Sequence, residues 1–313
     1  MSVFKILITD GLDSNGIAIL KKHTEVVEMT GITPEDLLKE IEKYDALIVR
    51  GRTKVTPAVF DAAKKLKVVG RAGVGVDNID LTAAKAHGVT VVNSPVATTV
   101  AVAELTMALM LNAVREVARA DASLKAGKWL KKEFEGAELS GKTLGVIGFG
   151  RIGAAVAKRA AAFDMAVFGY DPMVPADEIL KRGGSPVSLD ELLKRSDMIT
   201  MHLPLTDDTR CMINQDAFAK MKQGVYLICA ARGGVIDESA LLESLNNGKV
   251  AGAALDVFAA EPPGLTDLVA HPRVVCTPHI GAQTVEAQHR AANDIAEEVV
   301  AALNGQPLRW KVV

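Results

Sequence analysis

Cysteine is scarce in this chain. Cys211, Cys229 and Cys276 are the only three in 313 residues, too few and too scattered for a disulfide framework or a zinc site. Cys229 and Cys276 sit in apolar runs, as small core residues do. A reducing, cytoplasmic setting is therefore expected, with no metal. Aromatic residues are only 4%, which leaves little for stacking platforms that hold nucleic acid. Net charge is nearly absent as well: 36 basic against 38 acidic residues give −2, so bulk charge points to neither nucleic acid nor a membrane surface. No apolar run approaches the ~20 residues that span a bilayer. The start, Met1-Ser2-Val3-Phe4-Lys5, runs straight into a strand pattern and has no signal-peptide plan. What remains is a chain 49% hydrophobic and long enough for two globular domains.

Short apolar runs alternate with helical patterns along its whole length. Strands are expected at Lys5–Thr9, Val26–Met29, Ala46–Val49, Lys67–Gly70 and Thr90–Val92, with helices at Ser14–Lys22, Pro34–Lys43, Thr56–Lys64 and Asp80–Ala86 between them. Thr33-Pro34-Glu35 reads as an N-cap, a proline at the first helical position and an acid in the first turn, and Thr56-Pro57 repeats the device. This alternation makes a parallel α/β domain of about five strands. Asn93-Ser94-Pro95 breaks the rhythm and marks a boundary. An unbroken helical pattern then runs from Thr99 to Lys125 and stops at Gly127; at ~1.5 Å per residue it would span ~40 Å. Such a length suits a domain connector, a subunit interface or a long packed helix. After an arm, Leu130 to Leu139, the α/β rhythm resumes. Strands are expected at Leu144–Ile147, Ala166–Tyr170, Met198–Met201, Val225–Cys229, Ala251–Leu255 and Val274–Cys276. The last helical pattern, Thr284 to Asn304, is expected to cross back onto the first domain. Residues 1–94 with 284–313 would then form a discontinuous domain, and 95–283 the other.

The densest chemistry lies at the start of that second domain. Gly148-Phe149-Gly150-Arg151-Ile152-Gly153 follows the strand Leu144–Ile147, opens an alanine-rich helix, and is followed by a strand ending at Asp171. A dinucleotide-binding βαβ unit requires this order of parts. Gly148 permits the tight turn, Gly150 leaves room for a pyrophosphate against the backbone, and Gly153 lets the helix approach the strand. The helix start offers free N–H groups and a favourable dipole to the phosphates. Asp171 stands roughly 20 residues past the motif, where an acid binds the adenosine ribose hydroxyls and repels a 2′-phosphate. NAD is thus the expected cofactor rather than NADP. Without its flanking strands the motif would be a glycine-rich turn that binds nothing.

In open α/β sheets, ligands bind beyond the carboxyl ends of strands. Three later strands end in Arg232, in the stretch Asp256 to Glu261, and in Thr277-Pro278-His279. A guanidinium, a carboxylate and an imidazole at one sheet edge suit hydride chemistry on a 2-keto acid. Arg232 would fork onto the substrate carboxylate and carbonyl. His279 would move the alcohol proton. Glu261 would hold the other ring nitrogen and fix its tautomer. Taken singly, the same residues read as a surface ion pair, a loop acid and a strand cap. The remaining histidines, His23, His87, His202, His271 and His289, read as surface or packing residues.

The chain resembles the D-isomer-specific 2-hydroxyacid dehydrogenases over essentially its whole length. The matching stretches are Val49-Arg50 with Thr53-Lys54-Val55-Thr56, Gly70 to Asn78, Gly145 to Gly153, Ala231 to Gly234, Ala254 to Phe258 with Glu261-Pro262, and Pro278 to Ala282. The resemblance implies a Rossmann NAD-binding domain and a smaller flavodoxin-like substrate domain. It implies Arg232, Glu261 and His279 as the catalytic trio. It implies cofactor contacts from Arg151, Ile152, Leu203, Ala230, Ala231, Asp256 and Gly281 beside the glycines and Asp171. It implies a substrate loop at Gly73-Val74-Gly75, with Arg50 and Arg71 near it, and a homodimer or higher homo-oligomer through the dinucleotide domain. The nearest members by motif oxidise D-3-phosphoglycerate to 3-phosphohydroxypyruvate for serine synthesis, so that activity is expected. Reduction of glyoxylate or hydroxypyruvate is the alternative, and an NADH-sensing corepressor of the same fold is the reading from another class. The chain departs from phosphate-handling members at Val74, where threonine is common, and along Val96 to Ala101. Arg52, Lys54 and Lys131 are further cations for a dianion. Regulation through the C-terminal domain that many members carry is not expected from a chain that stops at Val313.

Overall fold

The computed structural model describes residues 4–313, so Met1 to Val3, the lead-in to the first expected strand, lie outside the described residues. The chain forms two compact units. One takes the chain up to Thr98 and resumes over Ala282–Val313; the other is Thr99–Gly281.

The first unit runs β1 (Lys5–Ile8), α1 (Ser14–Lys21), β2 (Glu25–Glu28), α2 (Pro34–Glu40), β3 (Ala46–Val49), α3 (Pro57–Ala62), β4 (Val68–Arg71), α4 (Leu81–Ala86) and β5 (Thr90–Asn93). Its sheet is parallel in the order β2-β1-β3-β4-β5, the flavodoxin-like winding. The central β3 is buried at every residue and edge strand β2 is not, as expected where helices cover both faces. Thr33 accepts the Asp36 N–H at 3.2 Å and caps α2. Thr56 has the same sequence context, but its side chain makes no cap bond. The order reverses between β1 and β3, so the switch point lies where Asp10 and Arg50 follow those strands.

The second unit opens with two helices rather than one. α5 (Thr99–Arg115) and α6 (Val117–Lys125) are separated by Glu116, which is left-handed at φ 52°. The competing hydrogen bonds explain the break. Ala118 N–H donates to the Asn112 side-chain oxygen at 2.9 Å instead of to the Val114 carbonyl. That carbonyl takes the Ala137 N–H from the arm at 3.0 Å. The expected unbroken helix from Thr99 to Lys125 is thus corrected by a side chain and an arm that periodicity does not see.

There follow β6 (Thr143–Ile147), α7 (Arg151–Ala161), β7 (Ala166–Tyr170), α8 (Ala176–Lys181), β8 (Ser185–Pro186), α9 (Leu189–Arg195), β9 (Met198–Met201), α10 (Gln215–Lys220), β10 (Val225–Cys229), α11 (Glu238–Asn246), β11 (Val250–Leu255) and β12 (Val274–Cys276). The parallel sheet has the order β12-β11-β10-β9-β6-β7-β8, a doubly wound Rossmann sheet with one strand beyond the usual six. β8 escapes the sequence pattern because it is two exposed edge residues, one of them proline.

The chain then re-enters the first unit as α12 (Val285–Leu303), capped by Thr284. Ile295, Ala296 and Val299 are fully buried, and the bare Cα of Gly70 on β4 makes room for Ile295 and Val299. Burial of such branched side chains stabilises by about 1.5–3 kcal/mol each. Buried Glu298 accepts the Arg309 and Trp310 N–H groups at 3.0 Å, and Val312 N–H donates to Val91 at 2.8 Å, so the last residues line the edge of β5. Among the described residues, no helix is long and apolar enough to cross a membrane.

Candidate active site

The winding of the second sheet reverses between β6 and β9, and the glycine loop leaves β6 at that point. Gly148 has φ 91°, and a Cβ there would lie 2.6 Å from the His202 carbonyl oxygen at the end of β9. A Cβ on Gly153 would run into the Gly148 carbonyl oxygen, whereas one on Gly150 would meet nothing within 4 Å. The loop therefore packs tightly on its protein side and is bare at Gly150, immediately before the free N–H groups that start α7. That combination fits a pyrophosphate. Arg151 is exposed and Ile152 half-buried in the first turn of α7, while Leu203 is buried beside Gly148.

Asp171, at the end of β7, accepts the Phe149 N–H through Oδ2 and the Met173 N–H through Oδ1, both at 2.8 Å. It thus ties the glycine loop to the neighbouring strand end. Arg182 adds a second tie, donating to the Phe149 carbonyl at 2.9 Å. His202 differs from a simple packing residue. Its Nε2 faces the Thr200 hydroxyl at 3.0 Å, its Nδ1 is sealed from solvent with no hydrogen-bond partner, and burial pushes the imidazole down to about 4.

The other three candidate side chains follow β10, β11 and β12 in turn. Ala230 and Ala231 are buried at the end of β10, and Arg232 donates to the Ala231 carbonyl at 2.7 Å. Burial pushes the neighbouring Cys229 thiol up to about 11, so it stays protonated. Asp256, 1% exposed after β11, accepts the Thr277 hydroxyl at 2.6 Å and the Ile280 and Gly281 N–H groups at 2.8 and 2.9 Å. These bonds close the turn that holds His279 at φ 52°. His279 Nδ1 meets Glu261 Oε2 at 2.7 Å, and Glu261 Oε1 accepts the Phe258 N–H at 3.2 Å. The imidazole is half exposed, so its Nε2 is the nitrogen free to meet a substrate.

The candidate substrate residues Arg50, Arg71, Gly73, Val74 and Gly75 belong to the first unit. Gly73 has φ 145°, and the Arg71 guanidinium occupies the space a Cβ would need. Asn93 donates to the Val74 carbonyl at 2.7 Å and Ser94 N–H to that of Gly73 at 2.9 Å, fixing the loop. Asp10 organises the Arg50–Thr53 turn. It accepts the Arg50 N–H at 2.8 Å, the Thr53 N–H at 3.0 Å and the Thr53 hydroxyl, and pairs with Arg52 at 3.3 Å. Burial would raise this carboxyl, but the Thr53 and Arg50 hydrogen bonds and the Arg52 charge outweigh it and hold it below the usual range. The half-buried Arg50 guanidinium makes no hydrogen bond or ion pair among the described residues. Neither Asp10 nor Asn78 (which donates to the Arg50 and Thr53 carbonyls) is given a role by the sequence, although Asn78 ends one of the stretches that carry the resemblance. Asp10 carried a signal, an acid at the end of the first strand. Among the described residues, no cluster of His, Cys, Asp and Glu could hold a metal.

Comparison with known proteins agrees with this architecture. The NAD binding domain of the D-isomer specific 2-hydroxyacid dehydrogenases matches residues 107–281. A D-3-phosphoglycerate dehydrogenase from Methanocaldococcus jannaschii is 51% identical over 96% of this chain and 58% of its own length. The chain thus spans little more than half of that relative, and 49% of a chloroplastic D-3-phosphoglycerate dehydrogenase from Arabidopsis thaliana, 50% identical over 96% of this chain. A hydroxypyruvate reductase from Thermotoga maritima is 47% identical over 96% of this chain and 98% of its own length. The solved structure of a glyoxylate reductase from Paecilomyes thermophila superposes with a TM-score of 0.91 at 31% identity, covering 100% of this chain and 99% of that one. With two doubly wound sheets, a matched NAD-binding region and relatives aligned end to end, the chain belongs to the D-isomer specific 2-hydroxyacid dehydrogenase family.

Proposed function

We propose that this chain oxidises D-3-phosphoglycerate to 3-phosphohydroxypyruvate with NAD, as a cytoplasmic step of serine synthesis. The observation that carries the chemistry is the 2.7 Å contact between His279 Nδ1 and Glu261 Oε2, which leaves Nε2 for substrate. Bound NAD would supply the acceptor for the hydride leaving the substrate C2. His279 Nε2 takes the proton of the C2 hydroxyl. Glu261 holds the Nδ1–H, which sets the tautomer and stabilises the imidazolium as it forms. Arg232 forks onto the substrate carboxylate and the developing carbonyl oxygen. Gly148, Gly150 and Gly153 would form the loop that receives the pyrophosphate, Arg151, Ile152, Leu203, Ala230, Ala231, Asp256 and Gly281 would line the cofactor, and Asp171 would select NAD.

The phosphorylated substrate is supported by the Methanocaldococcus and Arabidopsis relatives and by Arg50, a half-buried cation near Asp10 whose guanidinium makes no hydrogen bond among the described residues, at the switch point of the first sheet. Arg71 and the Gly73–Gly75 turn are the first unit's other candidate substrate contacts. The second reading, hydroxypyruvate reduction, is favoured by the Thermotoga relative that this chain matches along 98% of its length. Comparing kcat/KM for 3-phosphohydroxypyruvate, hydroxypyruvate and glyoxylate with NADH separates the two. Arg50→Ala should cost the phosphorylated substrate roughly 10- to 100-fold, the weight of one charge-assisted hydrogen bond, and leave hydroxypyruvate unchanged. Equal or better turnover of hydroxypyruvate, indifferent to Arg50, refutes the phosphoglycerate reading. A homodimer through α6 and the arm is part of the proposal, because α6 buries no residue and Trp129 is 80% exposed.

A further inference from the structure

The turn that carries Glu261 has little to hold it. Ala259, Ala260, Glu261 and Pro262 are all exposed, so no apolar burial fixes their position. Yet Glu261 must stay within hydrogen-bond reach of His279. Two of the backbone N–H groups of the turn have hydrogen-bond partners among the described residues, and both partners are carboxylates. That of Phe258 goes to Glu261 itself, and that of Ala259 to Glu238 Oε1 at 2.6 Å.

Glu238 is not needed for the helix it begins. Asp237 already caps α11, accepting the Ser239 and Ala240 N–H groups at 3.0 and 3.1 Å. Glu238 instead reaches across to a turn 21 residues further along. Its own helix starts directly after the turn bearing Arg232. In that turn Gly233 lies against the Phe258 backbone so closely that a Cβ would overlap the Phe258 carbonyl and sit 2.7 Å from Ala259 N. The two turns are therefore in backbone contact at Gly233 and hydrogen-bonded at Glu238.

We propose that Glu238 is a positioning residue: its carboxylate clips the exposed Ala259–Glu261 turn to the start of α11, so that the turn bearing Glu261 and the turn bearing Arg232 are held as one piece. The inference rests on the reading of His279 and Glu261 as the proton-handling pair. It adds a residue that touches neither substrate nor cofactor and acts through the orientation of Glu261. Misplacement of a reacting group by 1 Å costs roughly 10²-fold, so partial loosening of the turn should cost about 10-fold.

The test compares Glu238→Ala, Glu238→Gln, Glu261→Gln and the double variant Glu238→Ala/Glu261→Gln, with NADH-dependent reduction of 3-phosphohydroxypyruvate and hydroxypyruvate as the assay. Glu238→Ala should lower kcat about 10-fold and move the pH profile toward that of Glu261→Gln, with NADH affinity and melting temperature near wild type. Glu238→Gln should recover most of kcat, because its amide oxygen still accepts the Ala259 N–H. In the Glu261→Gln background, Glu238→Ala should add less than about 2-fold, since the residue it positions is already disabled. Wild-type kcat and pH profile in Glu238→Ala, beside a defective Glu261→Gln, would overturn the clip alone. So would an equal loss in both backgrounds, the mark of a merely structural role. An unaffected Glu261→Gln would overturn the proton-handling pair itself, and the clip with it.

Discussion

Two glycines of one motif should fail in different ways when each gains a single methyl group. Gly150 has φ −69° and ψ −157°, which alanine adopts, and a Cβ there meets no atom within 4 Å. Gly150→Ala should therefore fold normally, with a melting temperature within a degree or two of wild type. The methyl group would stand where the pyrophosphate must approach the backbone. Losing one charge-assisted N–H···O bond at about 1.5–3 kcal/mol predicts NADH affinity lower by roughly 10- to 150-fold. Gly153→Ala is the opposite case. Alanine gains about 1 kcal/mol of helix propensity over glycine. Its Cβ, however, overlaps the Gly148 carbonyl, a backbone atom that cannot rotate away. Restoring an ordinary C···O separation requires α7 to retreat from β6 by more than about 1 Å. Overpacking of this kind costs about 1–3 kcal/mol or more, so the propensity gain does not rescue the fold. Gly153→Ala should lose several degrees of melting temperature as well as NADH affinity. Thermal melts and NADH fluorescence titrations read both quantities. Native NADH affinity in Gly150→Ala would remove the pyrophosphate from that loop, and a wild-type melt in Gly153→Ala would refute the packing argument.

His202 makes a pH prediction. Burial holds its imidazole neutral with a pKa near 4, while the unfolded ring titrates near 6.5. Between those values the unfolded chain binds a proton that the folded chain refuses, so stability falls as pH drops from about 6.5 to about 4, by on the order of 3 kcal/mol. His202→Gln should flatten urea-denaturation free energies over that window; an unchanged acid slope would mean that the ring is solvated. For the arm, the proposed dimer predicts that Trp129→Ala shifts sedimentation toward monomer at micromolar concentration; unchanged sedimentation would refute an interface at the arm.

Most strands were legible because a parallel strand covered by helices on both faces is a bare apolar run. Ala46–Val49, Met198–Met201 and Val225–Cys229 needed nothing more. The break at Glu116 was not legible, because hydrophobic spacing continues across it while the decisive bonds come from Asn112 and from Ala137 in the arm. Within the site, residues at strand ends could be read from position and type. Those acting through backbone could not. Glu238 looks like any acid in a first helical turn until Ala259 is known to lie beside it. Asp10 looks like a loop acid until strand order places it next to Arg50.

Three acids at strand ends share one device. Asp10 and Asp256 each accept two backbone N–H groups from the turn beside them, Arg50 and Thr53 or Ile280 and Gly281, while Asp171 accepts one from the glycine loop, Phe149, and one from its own turn, Met173. Each turn carries candidate chemistry, so the acids pre-set geometry before any ligand arrives. Asp171 consequently combines an anchor for the glycine loop with a proposed role in cofactor choice, which a single substitution confounds. Asp171→Arg should weaken NAD and improve NADP by removing the charge that repels a 2′-phosphate. It also takes away the Phe149 anchor, so both cofactors should lose affinity through the loosened glycine loop. Asp171→Asn separates the effects. It is neutral and keeps one amide oxygen for the Phe149 N–H, leaving the loop nearly intact. If discrimination is electrostatic, the ratio of NAD to NADP affinity should fall in Asp171→Asn while NADH affinity drops less than in Asp171→Arg. If Asp171→Asn keeps the wild-type ratio, repulsion is not the source of the preference, and the acid at this strand end serves the loop alone.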